Sequence, residues 1–159
     1  MKFKPIKLVG ERIVLQRLSM KDAPVIVKIM NDGEVSKYLY RVISPYKIGH
    51  AIELIEESRK KKDGYGLGIS LKEDKRLIGY TGLYGIQKFY DYKSAGLKYW
   101  IRKEAISTIL DYGFNKLKFN NISAKVFSPN KASGILLEKL GFKEKSRLKR
   151  QEYCRVEDI

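Results

Sequence analysis

The chain is poor in the residues that most often make a catalytic or metal centre. Its 159 residues include one cysteine, Cys154, and one histidine, His50. A single thiol cannot close an internal disulfide, and no second Cys or nearby His stands beside it to share a metal. Cys154 therefore reads as a free thiol without a catalytic task, and no metal site is expected. His50 lies one residue before Ala51 of an apolar helical face and reads as a surface or packing residue rather than a general base. Acidic side chains are also few, 18 against 33 Lys and Arg, which leaves a formal net charge of +15. No apolar run approaches the length of a membrane span, and the opening MKFKPIKLVGERIV lacks the pattern of a signal peptide. The expectation is a cytoplasmic protein with no membrane partner. No internal repeat, low-complexity tract or linker divides it, so residues 1–159 read as one domain, long enough to bury a core.

The excess of positive charge attracts polyanions, among them phosphorylated cofactors and RNA. Its residues do not form one block. They recur as Lys2, Lys4 and Lys7, as Arg59 to Lys62, and as Lys143, Lys145, Arg147, Lys149 and Arg150. That scatter fits a solvated, Lys-rich surface better than a dedicated nucleic-acid face.

Along the chain, Glu11–Leu18 alternates Ile13, Leu15 and Arg17 against Arg12, Val14 and Gln16, the pattern of a first strand. Ser19 with Asp22 three residues on is a helix N-cap signal. Pro24 fits the first turn, Val25, Ile26, Ile29 and Met30 share a face, and Asn31-Asp32-Gly33 ends the helix. After an irregular stretch and the break at Ser44-Pro45, Ile48, Ala51, Ile52 and Ile55 recur at helical spacing. Tyr65–Leu71 and Arg76–Leu83 read as two strands. The GYGLG at Gly64–Gly68 lacks dinucleotide spacing and precedes no helix, so its glycines belong to a strand or bulge. Tyr84, Phe89, Tyr90 and Tyr92 follow, either lining a pocket or packing on one another in a hairpin. Ser94–Phe142 then alternates strand, helix, strand and helix patterns, the signature of a β-α-β-α unit. Phe142–Lys149 again alternates like a strand.

Within that unit, Tyr99-Trp100-Ile101 at a strand end, Glu104-Ala105-Ile106 opening a helix, Val126-Phe127 before Asn130-Lys131-Ala132-Ser133, and Leu137 to Phe142 carry a resemblance. They resemble the GNAT superfamily of acetyl-CoA-dependent N-acetyltransferases, and within it the RimJ/RimL-type branch, which acetylates protein N-terminal amines. The resemblance implies an α+β GNAT acyl-CoA N-acyltransferase fold: a mixed, mostly antiparallel sheet, helices on both faces, and splayed central strands. It implies acetyl-CoA as co-substrate, no metal, and a protein or peptide N-terminus, or another small amine, as acceptor. An RNA or ribosome association and a monomeric or homodimeric state accompany that expectation. A non-catalytic CoA-binding or RNA-associated module is the alternative.

The resemblance also supplies candidate site residues. Tyr99, Trp100, Ile101, Arg102, Lys103, Phe127, Asn130 and Ser133 would contact the cofactor, with Tyr99–Ile101 pairing its arm like an added strand. The slot of an acidic residue that helps deprotonate the acceptor is Gly96, and the slot of the tyrosine that protonates the leaving thiol is Leu137. Glu53 on the helical arm and Glu104 are the candidate bases that remain and Ser133 the candidate hydroxyl, against surface or capping roles for all three. The family's strand leads into a glycine-rich loop that holds the CoA pyrophosphate, whereas here only Arg102 and Lys103 precede the helix. Roughly nine residues, including the Gly-x-Gly, would belong between Ile101 and Arg102, and a last strand is missing as well. Ile101 and Arg102 are therefore expected not to be covalently joined.

Overall fold

The computed structural model describes residues 6–39, 42–60, 64–100 and 103–146. Six strands lie in sequence order in one sheet: β1 Lys7–Val9, β2 Ile13–Gln16, β3 Tyr65–Leu71, β4 Leu77–Phe89, β5 Tyr92–Trp100 and β6 Asn121–Ala124. Every neighbouring pair is antiparallel except β5 with β6, which run parallel. The helices are α1 Ala23–Met30, α2 Gly33–Ser36, α3 Ile48–Lys60, α4 Lys103–Asp111 and α5 Lys131–Lys139. The helix between β5 and β6 is the crossover that a parallel pair requires.

Strand alternation divides the sheet into two apolar faces. On one, Ile13, Leu15, Leu67, Ile69, Leu83 and Leu97 pack with Ile106 and Ile109 of α4 and Leu137 of α5. On the other, Trp100 and Tyr80 meet Ile26 and Met30 of α1 and Ala51 and Ile55 of α3. Helices on both faces of a mostly antiparallel sheet match the α+β expectation, and so does the β-α-β-α unit. Past Asp111 the helix widens into a π turn at Tyr112–Lys116. There Gly113 lets the backbone approach the sheet, since a Cβ would stand 2.8 Å from Ile122 Cδ1.

Several elements differ from the sequence pattern. The first strand is half of a hairpin, because Lys7–Val9 pairs with Val14–Gln16. Ser19 and Asp22 form their capping box around a 3-10 turn, Met20–Asp22, and α1 follows without a break. Gly66 and Gly68 of the GYGLG run lie in β3, as expected, and Gly64 stands just before it. Residues 142–146 form no strand, although Phe142 packs against the core. The remainder of that expected strand falls outside the described residues.

Candidate active site

The parallel pairing of β5 with β6 ends at Leu97 opposite Ala124. β5 continues to Trp100, whereas residues 125–127 form no strand. The strands thus part at the end where α4 and α5 begin, leaving a gap with one unpaired edge. Lys98 directs its carbonyl to the β4 side, where it accepts a hydrogen bond from Thr81 Oγ1 at 3.1 Å. Alternation therefore turns the backbone N–H and C=O of Tyr99 towards the gap. This pair of groups is the complement of an extended amide-bearing chain.

Tyr99 contributes its side chain too. Its hydroxyl and that of Ser133 hydrogen-bond each other across the gap, joining β5 to the first turn of α5. Asn130 is the N-cap of α5 and accepts from Ser133 N at 3.1 Å, which fixes the backbone that carries Ser133. Burial pushes the Tyr99 phenol above its ordinary range, and the Ser133 hydroxyl opposes part of that rise. The phenol is therefore a neutral proton donor well past neutral pH. Phe127 is half-buried on the segment leading into α5, and its carbonyl accepts from Asn130 N at 2.8 Å.

The other candidate residues are placed as follows. Trp100 points to the opposite face, stacked on Tyr80 with ring centroids 5.4 Å apart. Its backbone pairs with β4 opposite Tyr80, so it contributes nothing directly to the gap. Glu104, at the start of α4, accepts from Arg12 N at 2.7 Å and lies 3.5 Å from the Arg12 guanidinium, so it ties the β1–β2 turn to the helix. Ile101, Arg102 and the Lys103 side chain lie outside the described residues. His50 Nδ1 accepts from Lys47 N at 3.0 Å, so the imidazole caps α3.

The opposite face of β4 and β5 carries a shallow depression against the end of α3. Gly66 and Gly82, paired across β3 and β4, form its floor, with Tyr80, Tyr84, Lys98 and Ser58 around it. Tyr84 lies flat over Gly96, where a Cβ would stand 2.6 Å from its Cζ, and the Lys98 ammonium sits 4.5 Å from the same ring. Glycine at position 96 thus makes room for Tyr84. Of the four clustered aromatics in the sequence, only Tyr84 reaches this depression. Phe89, Tyr90 and Tyr92 stand at the tip of the β4–β5 hairpin.

The pairing of Tyr99 with Ser133 is what the sequence reading missed, since Tyr99 entered there only for its backbone. Alternation held the signal: Ala95, Leu97 and Tyr99 share the face that packs against α5. Among the described residues no group of three or more His, Cys, Asp or Glu could hold a metal, and no helix is long and apolar enough to cross a membrane.

Residues 12–143 match the profile of the Acetyltransferase (GNAT) domain. Among curated proteins, the uncharacterized N-acetyltransferase p20 of Bacillus licheniformis is 30% identical over 159 residues, covering 91% of this chain and 86% of that protein. The uncharacterized N-acetyltransferase YoaA of Bacillus subtilis is 29% identical over 153 residues, with 90% and 86% covered. The fold matches spermidine N-acetyltransferase from Vibrio cholerae, solved with CoA and spermine, with a TM-score of 0.76 at 22% identity over 91% of this chain and 88% of that one. It also matches Mycobacterium smegmatis RimJ, solved with CoA-disulfide, with a TM-score of 0.71 at 16% identity over 90% and 76%. The Tyr99 edge, the parted strands and the capped α5 suit the arm of acetyl-CoA, which supplies an acetyl group as a thioester. With the profile spanning the sheet and both helices of the gap, the chain belongs to the GNAT family of acetyl-CoA-dependent N-acetyltransferases.

Proposed function

We propose that the acceptor is the N-terminal α-amine of a protein or peptide, the chemistry of the RimJ/RimL-type branch. The observation that carries this reading is that none of the candidate bases described stands free at the gap: Glu53 is exposed on α3, and the others are engaged elsewhere. Position 96 is a glycine under Tyr84, Glu104 is held by Arg12, and His50 caps its own helix. Transfer without a strong base favours the amine that is already deprotonated. At pH 7 about one α-amine in seven is neutral, against about one lysine or polyamine nitrogen in 2,500. Direct attack of that amine on the thioester forms the C–N bond and breaks the C–S bond. Tyr99, held by Ser133, is the phenol poised to protonate the leaving sulfur, and the proton that the nitrogen loses goes to water and so back to the phenolate. In this scheme the Tyr99 N–H is the donor available to an acyl oxygen in the gap.

Thiol release from acetyl-CoA tests the acceptor, with peptides of varied first residue, N-terminally blocked peptides carrying lysine, and spermidine. Free N-termini are expected to turn over, with a rate that rises with pH through about 8, and blocked peptides are not. Spermidine is the acceptor named for the Vibrio cholerae neighbour, but here it would approach a chain of net charge +15. A higher kcat/KM for spermidine or for a lysine side chain would overturn the proposal.

The short connection belongs to the same reading. We expect the protein to carry about nine further residues, with a Gly-x-Gly, between Ile101 and Arg102 to hold the pyrophosphate. Trypsin cuts after Lys98 and Arg102, so a continuous chain releases the tetrapeptide Tyr99–Arg102. Its detection by mass spectrometry would sink that expectation.

A further inference from the structure

The end of the molecule away from the gap carries a patch that acetyl transfer does not use. β4 and β5 turn at Tyr90-Asp91, and the rings there stand in water: Tyr90 is 83% exposed, Phe89 72% and Tyr92 52%. Phe89 and Tyr90 pack edge to face with centroids 4.8 Å apart, so they form a fixed ledge. Tyr90 adopts a left-handed backbone, φ +51°, which a tyrosine occupies at a cost of about 1 kcal/mol. The hairpin is fastened at its base to the loop before β6. Lys93 N donates to Asn120 Oδ1 at 2.7 Å, Asn120 N to the Lys93 carbonyl at 2.8 Å, and Lys93 Nζ to the Leu117 carbonyl at 2.9 Å. Lys116 and Lys118, ahead of β6, and Lys88 of the hairpin are all exposed. Across residues 85–93 and 114–120 the only acidic side chain is Asp91.

We propose that this tip binds single-stranded nucleic acid, the rings of Phe89, Tyr90 and Tyr92 stacking on bases while Lys88, Lys116 and Lys118 follow the phosphates. Every base has a π face, so the contact is indifferent to sequence, and the bases must be unpaired to reach the rings. Charge selects this occupant. A second copy of the chain would bring +15 against +15, whereas a polyanion releases counterions as it binds. A lipid surface would have to take Asp91 in with the rings, while stacking leaves Asp91 in water.

Fluorescence anisotropy with labelled 12-nucleotide oligo-U and oligo-dT reads the binding, at low and at physiological salt, and the two arms separate RNA from DNA. Binding to at least one is expected, weakening steeply with salt. Phe89→Ala and Tyr90→Asn should each weaken it at least about tenfold, and Asp91→Asn should tighten it. Tyr90→Asn keeps a residue at ease with positive φ, so a loss there is not a loss of folding, and thiol release should be unchanged in all three. The proposal falls if neither oligonucleotide binds, or if the ring substitutions leave a salt-dependent affinity unchanged. It falls equally if the substitutions instead abolish binding to phosphatidylglycerol vesicles or a dimer seen by sedimentation.

Discussion

Replacing Tyr99 by Phe is expected to slow acetyl transfer about 10- to 100-fold while leaving the KM for acetyl-CoA within about twofold. The substitution removes one oxygen. The ring that packs between β5 and α5 stays, and so does the backbone pair at the open strand edge, so cofactor binding should survive. What disappears is the proton for the leaving sulfur. General acids contribute about 10²- to 10⁴-fold, and a thiolate is a good enough leaving group to place this one at the low end. Ser133→Ala should do less, since it keeps the backbone amide that Asn130 caps and loses only the hydroxyl that orients Tyr99. The pH profile separates a donor from a wall. Burial raises the Tyr99 pKa, so the phenol keeps its proton through the range where an α-amine gives its own up. The wild-type rate should climb through about pH 8 and fall only above about 10. The Phe variant should show the climb and a lower plateau, with no fall beyond the one that unfolding imposes on both proteins. An unchanged kcat in Tyr99→Phe would leave Tyr99 as a lining residue of the gap.

The architecture of this site was legible because it rests on periodicity. Strand and helix patterns in Ser94–Phe142 placed β5, α4, β6 and α5 within a few residues of where they lie, and the resemblance of Tyr99-Trp100-Ile101 pointed to the open strand edge. What periodicity cannot express is a contact across 34 residues. Tyr99 was read as a strand edge and Ser133 as a candidate hydroxyl or cap, each by itself, and only the parting of β5 from β6 brings their hydroxyls together. Glu104 shows the converse. A carboxylate at a helix start beside a cofactor motif looks chemical in one dimension, while in three it is held by Arg12 of a hairpin whose first strand was too short to read. The aromatic run from Tyr84 to Tyr92 was open between pocket and hairpin, and the fold divides it. β4 carries Tyr84 onto Gly96 and continues until its last ring is in water.

Between pH 10 and 12 the protein should lose about 3 kcal/mol of stability through a single phenol. Tyr80 packs between the sheet and the helical face of α1 and α3, stacked on Trp100, and burial pushes its pKa up to about 12, with Glu57 adding repulsion. In the unfolded chain the same phenol ionises near 10. The folded state therefore holds a proton that the unfolded state has given up. The stabilisation is complete below pH 10 and drains away at about 1.4 kcal/mol per unit as the pH rises towards the folded value. Urea unfolding of wild type and Tyr80→Phe at pH 9, 10 and 11 isolates this group, because every other titration is common to both proteins. The wild type should become more pH-sensitive than the variant above 10, and parallel curves would show that Tyr80 ionises as easily folded as unfolded. The same pair separates the two tyrosines in function. A rate that falls above pH 10 in wild type mixes loss of the Tyr99 proton with loss of the fold around Tyr80. In the Tyr80→Phe background the sheet should keep its stability over that interval, so a fall that persists there belongs to Tyr99.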